Sequence, residues 1–267
     1  MTNCVRLSDR AVVEVSGEDR VTFLQGLLSQ SVEDLAEGQA RYGALLTPQG
    51  RLLFDLFIVG RPGAIWLDVA RDRRDELLAR LKMYRLRARV AVTPIEAEVW
   101  TSWPAAPGGA GPDWVPDPRR EGLAWRAWGP AAPPLQTAEA EDWRRRRLEL
   151  GVGDAEDFDF NRDYPVELNL DLVGGIDFAK GCFVGQETTS RMKRRGQVKT
   201  RLVPLRFEGP PPPRGAEVLN GALRAGEVRS GVDGLALALL RLDRLEGDLT
   251  VDGRPVRAQR HPDALEG

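Results

Sequence analysis

Short apolar runs separated by polar and glycine-containing turns alternate with a few amphipathic stretches along this chain. Residues 18–28 are predicted to form a helix, because Val21, Leu24 and Leu28 recur at the spacing of one helical face. Residues 44–59 hold two apolar runs on either side of a Pro-Gln-Gly sequence, which is typical of a turn. We therefore expect a β-hairpin there, covered on both faces.

The remaining pattern predicts further strands and helices. A strand, a helix and two strands follow the hairpin, an order that indicates an α+β unit with a helix packed on an antiparallel sheet. Thr137 is a plausible N-cap for a later helix that runs to about residue 150. Residues 209–215 are rich in proline and predict a connector to an all-β module. The predicted segments are strands at 64–69, 88–92, 95–100 and 123–128, a helix at 72–81, and C-terminal strands at 222–229, 234–242 and 249–256.

The composition is that of an ordinary globular protein and narrows the classes of function. The 267 residues are 42% hydrophobic and 29% charged, which is enough for one large domain or two to three small ones. The formal net charge of -2 gives no overall attraction to nucleic acid or membranes. Neither a signal peptide nor an apolar run of ~20 residues is visible, so a cytoplasmic protein is expected.

The content of histidine and cysteine limits the chemistry further. His261 is the single histidine, which nearly excludes a His-based zinc site or a Ser-His-Asp triad. The two cysteines, Cys4 and Cys182, lie far apart in sequence and do not suggest a disulfide framework. No metal site is therefore expected.

Cys182 is the first candidate functional residue. Gly181 and Gly185 flank it and permit tight turns, and nearby cations such as Lys180 favour the thiolate over the thiol. The alternative is a buried cysteine in a glycine-bounded loop, because free cysteines are among the most buried residues. The residues leave both interpretations open.

Two charged residues lie in otherwise apolar patterns, and a third lies at an unfavourable helix end. Asp55 needs a partner or a polar cavity, unless it is a strand-end aspartate that faces solvent. Arg147 shares a helical face with Trp143, so it needs an anion, either a carboxylate or a ligand. Glu149 lies near the C-terminal end of the same helix, where the helix dipole disfavours an acid. It is either functional or simply exposed.

The segment at residues 180–187, K-G-C-F-V-G-Q-E, resembles the K-G-C-[FY]-x-G-Q-E motif of the YgfZ family. These are folate-binding proteins that support iron–sulfur proteins, and they are related to the aminomethyltransferase (T-protein) of glycine cleavage. Residues 23–28 and 235–243 also resemble family elements, and residues 147–151 resemble R-x-E-x-G. The motif residues carried over are Lys180, Gly181, Cys182, Phe183, Gly185, Gln186, Glu187 and Arg191.

The resemblance implies an α+β fold like that of the aminomethyltransferase. It would have two interleaved α+β domains and a small C-terminal β-barrel around a central cavity. The first domain would combine residues 1–45 with 138–208, and the second would span 46–137. The barrel would span 209–267.

The resemblance also implies a site and its ligands. Tetrahydrofolate or a derivative would be the cofactor, with Asp55 and Glu149 at the pterin. Lys180, Arg147 and Glu187 would complete the binding residues, the two cations meeting the acidic tail. Cys182 would be the reactive thiol at the cavity mouth. Iron–sulfur enzymes or cluster carriers would be the partners.

Two alternatives accompany this hypothesis. The chain could be a folate-dependent aminomethyl transferase, although Phe54 replaces one residue of the acidic pair found in that enzyme. It could instead bind RNA through the cations of residues 191–201, although the segment has no interleaved aromatic side chains and the whole chain is mildly acidic. Those cations are Arg191, Lys193, Arg194, Arg195, Lys199 and Arg201.

Overall fold

The computed structural model describes residues 2–109, 113–129, 135–194, 196 and 198–259. His261 and Arg195 lie outside the described residues. The helices are α1 (Arg20–Gln25), α2 (Arg74–Arg85), α3 (Ala140–Glu149) and α4 (Gln186–Arg194). The strands are β1 (Asn3–Arg6), β2 (Arg10–Ser16), β3 (Ala40–Leu46), β4 (Leu52–Arg61), β5 (Ala64–Ala70), β6 (Ala91–Ile95), β7 (Val99–Trp103), β8 (Trp114–Pro116), β9 (Trp125–Trp128), β10 (Thr200–Arg206), β11 (Glu217–Asn220), β12 (Leu223–Val232), β13 (Leu235–Arg241), β14 (Leu249–Val251), β15 (Arg254–Pro255) and β16 (Arg257–Ala258).

A five-stranded antiparallel sheet in the order β3-β4-β5-β2-β6 carries the first half of the chain. Leu24 of α1 and Leu77 of α2 belong to the apolar cluster on one side of it. On the other side, Tyr42 and Phe57 join a second cluster together with Trp128. Trp128 ends β9 of a four-stranded sheet, in the order β1-β7-β9-β8. The predicted hairpin is confirmed, and β4 is buried along nearly all of its length.

The C-terminal part is a seven-stranded antiparallel sheet in the order β15-β14-β11-β12-β13-β10-β16. Its own apolar core includes Val203, Val228 and Leu240. The α+β class with a C-terminal all-β module is therefore confirmed.

The sheets draw strands from both sides of the predicted domain limits. The predicted limit between residues 45 and 46 falls inside β3, which pairs with β4 along its whole length. β10 pairs with β13, so the proline-rich segment at 209–215 is a loop within the C-terminal sheet rather than a linker before it. The division into domains stays a prediction.

The helix bounds differ from the predicted ones. α1 is shorter than expected and ends at Gln25, with Gly26 as its C-cap, and α2 begins at Arg74 and runs to Arg85 rather than spanning 72–81. The N-cap of α3 is Glu139, which forms a capping box with Asp142. The hydroxyl of Thr137 instead accepts a hydrogen bond from the amide of Cys4 at 2.9 Å. The predicted Thr137 cap is therefore wrong, because that hydroxyl fixes the first strand.

Candidate functional site

Cys182 is exposed, in a loop that leads directly into α4. Lys180 anchors this loop, because its Nζ donates hydrogen bonds to the carbonyl oxygens of Gln25 at 2.8 Å, Leu28 at 2.6 Å and Gln30 at 3.2 Å. A lysine is a suitable partner for carbonyl groups at the C-terminal end of a helix. Burial lowers the pKa of Lys180 to about 8. Its ammonium group therefore fastens the cysteine loop to the end of α1.

Gly185 fixes the other end of the loop. Its φ of +82° is in the left-handed region, and a Cβ there would lie 2.6 Å from the carbonyl oxygen of Thr47 and 3.0 Å from the Cα of Gly50. A side chain at position 185 would therefore collide with the β3–β4 turn. At Gly181, by contrast, a Cβ would meet nothing within 4 Å.

The other motif residues divide between core and surface. Phe183 is buried in the large apolar cluster beneath the loop. Glu187 is exposed in the first turn of α4, where the helix dipole favours an acid, and Arg191 is exposed further along. Gln186 is half-buried. The motif thus holds an exposed thiol on a scaffold made by α1, the β3–β4 turn and α4.

The element at residues 23–28 supports the same loop from below. The side-chain Oε1 of Gln25 accepts a hydrogen bond from the amide of Val32 at 2.8 Å. The buried hydroxyl of Ser29 donates to the carbonyl of Gly175 at 2.6 Å and accepts from the amide of Ala44 at 2.7 Å. Two motifs about 150 residues apart in sequence meet in space.

The two thiols have different surroundings. Cys4 is buried, and this burial raises its pKa to about 11. Cys182 is exposed, so the alternative of a buried cysteine is wrong for this residue. In the described part of the chain, three or more His, Cys, Asp or Glu side chains nowhere form a group that could hold a metal ion. A cluster at Cys182 would therefore need ligands from another molecule.

Asp55 is buried rather than facing solvent, and it has partners. Its Oδ2 lies 3.5 Å from Nη1 of Arg10 and 3.5 Å from the hydroxyl of Tyr42. Burial raises the pKa of this carboxyl group, and the Arg10 charge opposes the shift. The expectation of a partner in an apolar strand is therefore confirmed.

The partners of Asp55 belong to a larger buried ion cluster that sequence reasoning missed. Asp68 accepts hydrogen bonds from Nε of Arg10 at 2.6 Å, Nη1 of Arg126 at 3.0 Å and Nε1 of Trp128 at 2.7 Å. These partners lie about 60 residues from Asp68 in sequence, so no local pattern indicates them.

Arg119 extends the cluster. It bridges Asp117 at 2.9 Å and Asp154 at 3.1 Å. Burial alone would raise the pKa of Asp154, but Arg119 and Arg10 together hold it well below its usual range. Each ion in this cluster is thus balanced inside the protein, as a buried charge requires.

Arg147 is buried and finds its anions within the chain. Its Nη1 lies 3.0 Å from Asp157 and donates to the carbonyl of Val152 at 2.9 Å, and its Nη2 contacts Glu156. The inward orientation predicted for Arg147 is confirmed. The anion is a set of internal carboxylates, and Glu149 is exposed at the end of α3.

These positions do not fit a bound pterin in this arrangement. Asp55 and Arg147 are buried and already form ion pairs, whereas Glu149 is exposed. The Nζ of Lys180 donates its hydrogen bonds to three carbonyl groups of the chain. A cavity of about 780 Å³ near Arg73, Phe160 and Arg214 is lined by none of the predicted folate residues. A cleft of about 480 Å³ is lined by Lys180 but by none of the others. We therefore derive no step through folate.

The fold defines the class of protein. The structure matches the glycine cleavage system aminomethyltransferase T from Bartonella henselae with a TM-score of 0.76 and 17% sequence identity, covering 98% of this chain and 86% of that chain. Residues 199–264 match the family model described as the CAF17 C-terminal beta-barrel domain. The expected aminomethyltransferase-like fold with a C-terminal β-barrel is confirmed.

Sequence relatives narrow the class. The chain is 33% identical to the iron-sulfur cluster assembly factor IBA57 of Mus musculus, covering 93% of this chain and 80% of that protein. It is 31% identical to the Homo sapiens protein of the same name over 93% of this chain and 80% of that protein. The Mycosarcoma maydis homologue is 31% identical over 90% and 74%. The chain belongs to the family of the iron–sulfur cluster assembly factor IBA57.

These comparisons confirm part of the resemblance and correct part of it. They confirm a family of iron–sulfur assembly factors, and the relatives carry the name IBA57 rather than YgfZ. Their names also describe them as mitochondrial, which contradicts the expectation of a cytoplasmic protein. The described helices include none that is long and apolar enough to cross a membrane.

Proposed function

We propose that this protein assists the assembly of iron–sulfur clusters, with Cys182 as one thiolate ligand of a cluster that a partner also holds. Membership of the IBA57 family supports a role in cluster assembly, since the relatives are named as iron-sulfur cluster assembly factors. The observation that carries the proposal is the exposed thiol of Cys182 on an anchored loop.

A single thiolate ligand from Cys182 means that the cluster must be shared with a partner. Iron–sulfur clusters generally take four thiolate-type ligands, so Cys182 would supply one and a carrier or client enzyme would supply the rest. The Lys180 and Gly185 contacts hold the loop before any cluster arrives, so little ordering entropy is lost on binding. The partners we propose are iron–sulfur enzymes or cluster carriers.

Binding of tetrahydrofolate or a derivative remains a prediction. It would place Asp55, Arg147, Glu149, Lys180 and Glu187 around the ligand, and the first two would have to leave buried ion pairs. Calorimetric titration of the wild type and a Glu149→Ala variant with tetrahydrofolate checks this prediction. Heat that depends on Glu149 would support it, and no heat up to millimolar folate would contradict it. The aminomethyl transferase alternative gains no support, because Phe54 is packed in the apolar core.

The test of the assembly role is made in the protein's own host, with Cys182→Ser and Cys4→Ser variants expressed at the native level. Iron–sulfur enzymes should lose activity in Cys182→Ser cells, while enzymes without clusters keep theirs. Cys4→Ser is the matched control, since it also removes one thiol. Equal iron–sulfur enzyme activity in wild-type and Cys182→Ser cells would contradict the proposed role.

A further inference from the structure

The last turns of α4 carry cations that the protein does not neutralise. Arg191, Lys193 and Arg194 are exposed, and within the described residues none of them forms an ion pair with a carboxylate. Arg201 behaves differently, since it pairs with Asp171 at 2.6 Å. Many other arginines of this chain also pair with acids. With Glu187 as its one acid, α4 therefore carries an excess of positive charge in a protein of net charge -2.

These cations lie close to the Cys182 loop. The amide of Gln186 donates to the carbonyl of Phe183 at 3.2 Å, so α4 begins directly against the loop. A helix rises about 1.5 Å per residue, which places the Cα of Arg191 roughly 8 Å along the axis from the first residue of α4. Measured from this start of the helix, Arg191 is within the Debye length of about 10 Å at 0.1 M salt, and Arg194 lies about 12 Å along the axis.

A contact near the C-terminal end of α4 holds this helix beside the cysteine loop. The Nζ of Lys193 lies 4.0 Å from the centre of the Phe178 ring, a cation–π contact. Phe178 precedes Cys182 by four residues, so the end of α4 returns beside the start of the cysteine loop. The contact therefore fixes the position of the α4 cations relative to the loop that carries Cys182.

We propose that Arg191, Lys193 and Arg194 attract an anionic, thiolate-ligated iron–sulfur cluster toward Cys182. The proposal rests on the proposed function and adds how the cluster is recognised. A cluster ligated by four thiolates is an anion whether a small thiol or a protein supplies them. Cations near a reactive group raise the association rate of an oppositely charged reactant.

The chemical step that follows is a ligand exchange without redox change. The thiol of Cys182 replaces one thiolate on a cluster iron, so an iron–sulfur bond to Cys182 forms and an iron–sulfur bond to the leaving thiolate breaks. The proton of the Cys182 thiol leaves with the displaced thiolate as free thiol. The cluster keeps its remaining ligands and its electrons.

The test uses a glutathione-ligated 2Fe–2S cluster as the probe, mixed anaerobically with the full chain. Stopped-flow visible absorbance gives the rate of exchange, and protection of Cys182 from alkylation gives its extent. We expect an Arg191→Glu/Arg194→Glu double variant to react about tenfold more slowly than the wild type at low salt. The two rates should converge as salt is raised.

A matched control has the same change in charge at another helix end. Lys82 and Arg85 are exposed in the last turn of α2, so Lys82→Glu/Arg85→Glu also reverses two cations beside a helix C-terminus. We expect it to keep the wild-type rate. Equal slowing of both double variants, or no slowing of either, would overturn the proposal.

Two further measurements separate the possible outcomes. If Cys182→Ser exchanges as fast as the wild type, Cys182 is not the ligand and the proposed function fails. If Cys182→Ser slows the exchange but Arg191→Glu/Arg194→Glu does not, the ligand role stands and this inference fails. A carrier protein loaded with the same cluster replaces glutathione in a second series, and the same slowing by Arg191→Glu/Arg194→Glu is expected there. A salt-sensitive gel shift with single-stranded RNA, lost on reversal of Arg191 and Arg194 while cluster exchange is unchanged, would assign the cations to RNA instead.

Discussion

Gly50 and Gly185 come into direct backbone contact, although 134 residues separate them in sequence. A Cβ on Gly185 would lie 3.0 Å from the Cα of Gly50, and a Cβ on Gly50 would lie 3.1 Å from the carbonyl oxygen of Gly185. Both residues have a positive φ, +79° at Gly50 and +82° at Gly185. The contact presses the cysteine loop onto the turn of the β3–β4 hairpin, so both glycines fix the position of Cys182.

Replacement of Gly185 by alanine should therefore displace the loop. The new Cβ would meet the carbonyl oxygen of Thr47 at 2.6 Å, and alanine is strained at this φ. We expect the free energy of unfolding to fall by about 1–3 kcal/mol, with altered alkylation of Cys182. Denaturant unfolding and the rate of thiol labelling measure the two effects.

The control for this prediction lies in the same motif. A Cβ on Gly181 would meet no atom within 4 Å, and its φ is not in the left-handed region. Gly181→Ala should change stability by no more than about 0.5 kcal/mol and leave Cys182 labelling unchanged. A Gly185→Ala protein as stable as Gly181→Ala would contradict the role of the backbone contact.

The comparison of Gly181 with Gly185 shows how far the sequence could lead. The apolar periodicity and the turn residues were sufficient to predict the hairpin and the C-terminal β module. Which glycine allows a close approach depends on Thr47 and Gly50, which are distant in sequence. Local patterns carry no information about such partners.

The same limit applies to the charged residues. Arg147 and Asp55 were correctly predicted to need partners, because an ion in an apolar pattern is costly alone. The partners Asp157 and Arg10 are fixed by the tertiary fold. The family resemblance predicts a ligand at these ions, and in the structure each already has a charged partner from the chain itself.

The two cysteines should react at very different rates in the folded protein. Cys182 is exposed, whereas Cys4 is buried and its pKa is raised to about 11. At about pH 8 we expect one thiol per chain to react with an aromatic disulfide reagent, with the second about a hundredfold slower. In denaturant both should react quickly. The Cys182→Ser variant should lose the fast phase and Cys4→Ser should keep it; the reverse assignment would show that Cys182 is not accessible.

Two aspartates of the buried ion cluster should respond differently to conversion into asparagine. Asp68 accepts short hydrogen bonds from Arg10, Arg126 and Trp128, so Asp68→Asn would leave buried donors unpaired and cost about 3–5 kcal/mol. Among the described residues Asp55 makes its polar contacts at 3.5 Å, so Asp55→Asn should cost about 1 kcal/mol or less. Denaturant unfolding of both variants measures the difference. Equal losses would contradict this ranking.

The Asp55 variant should also reveal a pH dependence. Burial raises the pKa of Asp55 above its usual value of 3.8. At a pH between the usual pKa and the raised pKa, the folded chain holds a proton on Asp55 that the unfolded chain has lost. The contribution of Asp55 to stability therefore rises as the pH falls through the raised pKa. The stability of the wild type relative to Asp55→Asn should therefore increase as the pH is lowered toward the usual value of 3.8. A relative stability that falls over this interval would mean that the pKa of Asp55 is not raised.

Removal of the Lys180 ammonium group should free the cysteine loop from the end of α1. Lys180→Met keeps much of the aliphatic chain but leaves the carbonyl groups of Gln25, Leu28 and Gln30 without their shared donor. We expect a loss of about 1–3 kcal/mol in the free energy of unfolding, because buried acceptors lose their partner. Lys199→Met is the control, since Lys199 is exposed and its removal should change stability by less than about 0.5 kcal/mol. Hydrogen exchange of the amides in residues 180–185 should rise in Lys180→Met alone; unchanged exchange there would mean that the Gly185 contact is sufficient to hold the thiol in place.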